Sequence, residues 1–206
     1  QRGVELAQRL FDGRVQALPD LIDLGVGCNR LEHYMRDGLV NKAAAQAFMG
    51  WLRPERLDTG DGGNRIVFNL DYDRAGIDLV HQEDGRLRLA INQWADRSKA
   101  DSPSGILKEG QWTFFAVTYD STLPNKNVCW YIGDETTLAA LVCIRDYDRG
   151  PTAAGSGDLT VGNYNTTLHN HGINRQFRGS LRGLMIFGSA VDGGEALDVE
   201  TIRAYQ

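Results

Sequence analysis

Two histidines stand two residues apart at His169-Asn170-His171, in the most polar stretch of the chain, which also holds Asn163, Tyr164, Asn165, Asn174, Arg175 and Gln176. In an extended stretch both imidazoles would project to one face, a usable transition-metal pair, although no third ligand is identifiable and loop histidines without a ligand role are the commoner case. Oxygen donors for calcium come as aspartate pairs: Asp71 with Asp73, Asp146 with Asp148, and Asp58 with Asp61. None of these loops has the periodic oxygen pattern of a strong calcium site, and aspartates so placed ordinarily make turns. Trp94 differs from the other tryptophans in lying among Asn92, Gln93, Asp96, Arg97 and Ser98. A flat ring beside amides and charges suits a sugar, the ring face meeting C–H groups and the polar groups meeting hydroxyls. The alternative is a Trp folded back as a cap on the core. If the loops 92–98 and 163–176 leave the same end of the fold, Asn92, Trp94, Asn163, Tyr164, His169, His171 and Arg175 form one shallow ligand surface.

The elements that must position these residues are organised around Gln111 to Asp134. Trp112, Phe114, Ala116 and Thr118 alternate with Thr113, Phe115, Val117 and Tyr119, and both sets are largely apolar. That pattern predicts a central strand covered on both sides. Asp120 to Asn127 is a turn-forming loop, and Val128 to Ile132 returns as the second strand of an antiparallel hairpin, reversed again at Gly133-Asp134. Further strands are predicted at Ala44 to Leu52, with Ala47, Met49 and Trp51 on one face, and at Arg65 to Leu70, Ile77 to His81, Arg86 to Asn92, Leu138 to Arg145, Leu159 to Gly162 and Phe177 to Phe187. In Arg86 to Asn92 the core side carries Leu87, Leu89 and Ile91. A short helix is expected near Asp198 to Tyr205. Residues 1–40 read as a segment wrapping over the sandwich, with spacings from Val4 to Phe11 that fit a short helix.

Trp112-Thr113-Phe114-Phe115-Ala116-Val117-Thr118-Tyr119-Asp120, followed by Trp130-Tyr131-Ile132-Gly133-Asp134, resembles the "W-x-x-x-A-V-T-Y-D … x-Y-V-N-G" core of laminin-G-like, concanavalin A-like jelly-roll domains. Leu159 to Gly162 is similar to that family's "L-x-I-G" strand. Phe177 to Leu181 and Ala196 to Tyr205 are similar to its closing "F-x-G-x-I-D-E-V … L-x-x-x-E-I-x-x-L-Y", with the two acids replaced by Arg182 and Gly183. The resemblance implies an all-β antiparallel sandwich over about residues 41–206, closed by a short helix. It also implies a recognition module, with carbohydrate as the expected ligand and an extracellular protein as the alternative. Calcium occurs in relatives on this fold, but the exchange at Arg182-Gly183 puts a site using those acids in doubt. Because one fold carries many activities, a glycoside hydrolase or polysaccharide lyase stands third. Hydrolysis needs two carboxyls facing one bond, and the nearest string, Glu195 to Glu200, has the wrong spacing and falls in the expected terminal helix.

At 206 residues the chain fits a single domain, and 24 glycines against 5 prolines suit many short strands and tight turns. A net charge of −5 with no Lys/Arg run argues against a nucleic-acid surface, and no apolar run approaches membrane-spanning length. The chain begins at Gln1 without a signal pattern, which reads as a mature or excised piece of a larger extracellular or cell-surface polypeptide. Cys28, Cys129 and Cys143 cannot all pair within one chain. Cys129 and Cys143 are expected on neighbouring strands, as a cross-strand disulfide or, more simply, as buried thiols.

Overall fold

The computed structural model describes residues 15–17 and 22–24 as backbone, and residues 43–59, 63–155, 159–163, 175–189, 192–194 and 196–206 with their side chains. The strands are β1 (Val15–Ala17), β2 (Ile22–Leu24), β3 (Ala45–Pro54), β4 (Asn64–Asp71), β5 (Ala75–His81), β6 (Leu87–Ile91), β7 (Ala100–Asp101), β8 (Thr113–Asp120), β9 (Val128–Gly133), β10 (Ala140–Arg145), β11 (Thr160–Val161) and β12 (Gly179–Ser189). One helix follows, α1 (Val199–Tyr205). A seven-stranded sheet runs β1-β12-β3-β8-β9-β10, with β2 also on β12, and a five-stranded sheet runs β11-β4-β5-β6-β7. Every one of these strand pairings is antiparallel.

β8 lies between β3 and β9. Its Phe115, Val117 and Tyr119 fill the gap between the sheets with Phe48, Leu52, Trp130, Leu79, Leu89 and Ile91. Phe114 and Ala116 face the other way and join Ala47, Met49, Trp51 and Phe187 under Ile202 of α1. Two apolar faces on one strand therefore have two physical causes, a partner sheet on one side and a helix on the other. Asp198 starts that helix, its Oδ1 accepting the Thr201 N–H at 2.8 Å, so this acid of the 195–200 string is a cap.

Two expectations, on Trp112 and on residues 1–40, need correction. Trp112 precedes β8 and is half-buried rather than fully enclosed. Within residues 1–40, β1 and β2 pair with β12 and extend the sheet, because an extended apolar segment beside an open strand satisfies its backbone groups there; the helix expected at 4–11 lies outside the described residues. Cys129 and Cys143 do sit on neighbouring strands, but Cys129 is opposite Ile144 and Cys143 opposite Trp130. That one-residue offset turns them to opposite faces of the sheet, and both thiols are free. Cys28 lies outside the described residues. Finally, β10 is an edge strand whose Leu141, Val142 and Ile144, with the preceding Leu138, are exposed.

Two backbone details set side-chain directions. β12 carries a bulge between Arg182 and Met185, so that both residues point to the helix-covered side although they are an odd number apart. Gly76 closes the β4–β5 turn at φ +98°, where a Cβ would lie 1.6 Å from the Asn69 carbonyl oxygen.

Candidate functional site

The β4–β5 turn, the segment after β6, the β8–β9 loop and the loop after β10 share one rim of the sandwich. The loop after β10 is pinned by two asparagines. Asn127 Oδ1 accepts the Tyr147 N–H at 2.9 Å while its Nδ2 donates to the Tyr147 carbonyl at 2.8 Å. Asn92, at φ 57°, donates from Nδ2 to the Arg149 and Pro151 carbonyls, at 3.2 and 3.0 Å, and accepts the Ala153 N–H at 2.9 Å. The buried Tyr147 hydroxyl accepts from the Ile91 N–H at 2.9 Å and from Gln93 Nε2 at 2.7 Å. Tyr119 stands 5.7 Å from Tyr147, ring to ring, and its hydroxyl donates to the Gly150 carbonyl at 2.7 Å. Burial pushes the Tyr119 phenol well above its usual range, so it stays a neutral donor.

These bonds build a cleft of about 190 Å³ lined by Tyr119, Ser121, Thr122, Leu123, Pro124, Asn127, Tyr147, Asp148 and Gly150. Its floor is fixed, because the polar groups of Tyr119, Asn127 and Tyr147 are already engaged with backbone. Its single carboxylate, Asp148, is exposed. With the Asn127 amide spent on the loop, hydroxyl oxygens and the Asp148 carboxylate are the polar groups this shallow cleft offers a small ligand.

Trp94 is on the same rim but is not a free platform. It is half-buried over the outer face of the five-stranded sheet, stacked on Phe68 at 6.3 Å and 24°. Ala95 seals the next part of that face with Val80 and Ala90. Beneath, Asp78 is fully buried and bound by Arg65 through Nε at 3.0 Å and Nη2 at 2.8 Å, with the Ala95 N–H at 3.3 Å.

The other expected residues separate. Asp73 Oδ1 accepts the Trp94 N–H at 2.9 Å and its Oδ2 pairs with Arg97. Asp146 Oδ1 accepts the Lys126 N–H at 2.7 Å. These two hold loops, while Asp71 sits at the end of β4 and Asp148 lines the cleft. Among the described residues no group of three or more His, Cys, Asp or Glu is placed to hold a metal ion. Asn163 and Arg175 sit at the opposite end. β11 runs antiparallel to β4 and β6 runs parallel to it, so the loops after Ile91 and Val161 leave opposite ends of the sheet. Asn163 is buried, with its carbonyl accepting Thr160 Oγ1 at 2.8 Å. The Arg175 carbonyl accepts the Arg65 N–H at 2.8 Å. The expected joint surface is thus corrected on two counts, the position of these loops and the engagement of the Asn92 amide. Tyr164, His169 and His171 lie outside the described residues.

Among solved structures, the heptameric SAP-like pentraxin of Limulus polyphemus is similar over 92% of this chain and 80% of its own, with a TM-score of 0.54 and 12% identity. The fold is the lectin-like jelly roll. The binding domain of botulinum neurotoxin serotype G matches over 95% of this chain, with a TM-score of 0.53 and 16% identity, and this chain spans about half, 47%, of that one. The CBM40 domain of the Ruminococcus gnavus IT-sialidase, solved bound to alpha2,3 sialyllactose, matches over 79% of this chain and 82% of its own, with a TM-score of 0.50 and 11% identity. No protein-family model matches the sequence, and no curated protein matches it.

Sequence reasoning missed Tyr147 and Asn127, which assemble the rim. The string Asp-Tyr-Asp-Arg occurs at 71–74 and at 146–149, yet Tyr72 is 56% exposed and Tyr147 only 5%. Nothing local to the four residues separates the two copies.

Proposed function

We propose that this jelly roll is a non-catalytic, carbohydrate-binding recognition module of an extracytoplasmic protein, folding as one domain over residues 1–206. The observation that carries the reading is the rim cleft of about 190 Å³, with its rigid floor and mixed polar and aromatic lining. It holds a single carboxylate, whereas glycoside hydrolysis requires a facing pair. A lectin-like fold whose structural neighbours include a carbohydrate-binding module solved with a sialylated sugar supports the same reading. No helix among the described residues is long and apolar enough to cross a membrane. A shallow site of this kind gives micromolar to millimolar affinity.

The test is a glycan array run with and without calcium, on the native chain and on Thr122→Trp, which places an indole in the cleft from an exposed position. Binding that disappears in Thr122→Trp while the melting temperature holds supports the site. Release of new reducing ends from a polysaccharide panel would overturn it.

A second reading, a protein-binding module, is favoured by the exposed Leu138, Leu141, Val142 and Ile144 at the β10 edge. Under it, Leu141→Lys abolishes partner capture and leaves glycan binding intact.

A further inference from the structure

At the other end of β3, on the helix-covered side of the seven-stranded sheet, two tryptophans and two arginines form a ladder across β12, β3 and the residue that leads into β8. Arg182 on β12 is the register partner of Trp51 on β3, and Trp51 is the partner of Phe114 on β8. The Arg182 guanidinium carbon lies 4.7 Å from the Trp51 ring centroid and 4.9 Å from that of Trp112. Arg53, further along β3, lies 5.7 Å from the Trp112 ring. Trp51 is buried and meets Phe114 edge-on at 5.4 Å, while Arg53, Trp112 and Arg182 are half-buried and reach solvent.

The charge in this ladder is uncompensated. No carboxylate pairs with Arg53 or Arg182 among the described residues, although Arg56, Arg65, Arg86, Arg88, Arg97, Arg178 and Arg203 each have an acidic neighbour. Arg53 Nε is shielded from solvent and has no hydrogen-bond partner, which costs free energy and leaves the terminal nitrogens as the donors a ligand meets. The indoles hold these guanidiniums by cation–π contact, which fixes their position without neutralising their charge. Stacking uses the faces of a guanidinium and leaves its in-plane N–H donors for an oxyanion, which they grip in a fork. The half-buried indole of Trp112 supplies the apolar surface that the C–H face of a sugar ring covers.

We infer that Arg53, Trp112 and Arg182 form a second binding site, for an acidic sugar whose carboxylate or sulfate group the two arginines hold and whose ring lies against Trp112. The glycan part of this assignment rests on the carbohydrate reading above; the anion-binding part rests on the ladder alone. The site is separate from the rim cleft, which lies at the Asp120 end of β8.

The test is calorimetric titration with hexagalacturonate, which offers carboxylates, a heparin hexasaccharide, which offers both sulfates and carboxylates, maltohexaose, which offers neither, and oligoglutamate as an acidic peptide, at low and high salt. The native chain is expected to bind at least one acidic oligosaccharide, more weakly at high salt, and the stronger of the two names the anion. Arg182→Gln and Arg53→Gln are each expected to lower that affinity at least about tenfold, while Thr122→Trp leaves it unchanged. If Arg182→Gln does not fold, Arg53→Gln and the charge-retaining Arg182→Lys, expected to bind at an intermediate level, carry the test. Acidic sugars that fail to bind at low salt, or bind equally well to both glutamine variants, overturn the site. Oligoglutamate bound as tightly as either sugar overturns the sugar assignment. The rim cleft is scored on neutral glycans, so each site can fail alone.

Discussion

Asn127 replaces a strand partner for Tyr147, closing both of its backbone groups with one side-chain amide at 2.9 and 2.8 Å. The pair fixes the loop that follows β10 before the Tyr147 hydroxyl reaches across to Ile91 at the end of β6 in the other sheet and to Gln93 just beyond it. Removing the amide leaves a buried N–H and C=O unmatched. Asn127→Ala is therefore expected to lose about 1–3 kcal/mol for each group left unpaired, read as a lowered urea midpoint, and to weaken any ligand of the rim cleft.

Trp94 caps the five-stranded sheet through Phe68. Trp94→Ala is expected to destabilise the chain by about 2 kcal/mol, less than a full core truncation because the ring is only half-buried. An unchanged melting temperature would show instead that Trp94 is an exposed anchor.

His81 is fully buried at the end of β5, edge-on to Phe177 at 5.4 Å, and neither ring nitrogen has a hydrogen-bond partner. Burial pushes its pKa down to about 4. The unfolded chain takes up a proton near the ordinary value of about 6.5 while the folded chain refuses it until about pH 4. Stability is therefore expected to be complete above that upper value and to fall by about 3 kcal/mol as pH drops through the window, levelling below it. Urea titrations across that range check the slope, and His81→Leu should flatten it.

The Arg65–Asp78 pair has no access to water. Asp78→Asn is expected to cost about 3–5 kcal/mol because it strands a buried guanidinium, whereas replacing both partners by apolar residues costs far less. A double-mutant cycle in urea measures the difference.

How far these features could be read in advance depends on where their partners come from. The hairpin of β8 and β9 carries its own instruction, two apolar faces and a turn-forming loop, so its place at the centre of the sheet was legible. The strand faces of β3 and β6 were legible for the same reason: parity is local. Trp94 was not, because its partner Phe68 belongs to a strand brought alongside by the sheet order. The ladder of Arg53, Trp112 and Arg182 escaped notice because its members are neighbours only across strands, although the exchange of two family acids for Arg182 and Gly183 was a visible signal. Asn92 and Asn127 look like ordinary turn residues until the loop they hold is in view.

The bulge in β12 acts as a phase shifter. Between Arg182 and Met185 the strand gains one residue against β3, and Gly183, at φ 57°, absorbs it. If β12 kept its length but lost the bulge, its first half would flip, turning Arg182 into the space between the sheets and Leu181 out. Deletion of Gly183 alone would instead restore regular alternation, with Arg182 two places from Met185 and still on the same face. The outer surface of this module is therefore expected to diverge by exchange of side chains and to tolerate length change at the bulge itself, while a one-residue insertion or deletion elsewhere in β12 turns the strand over.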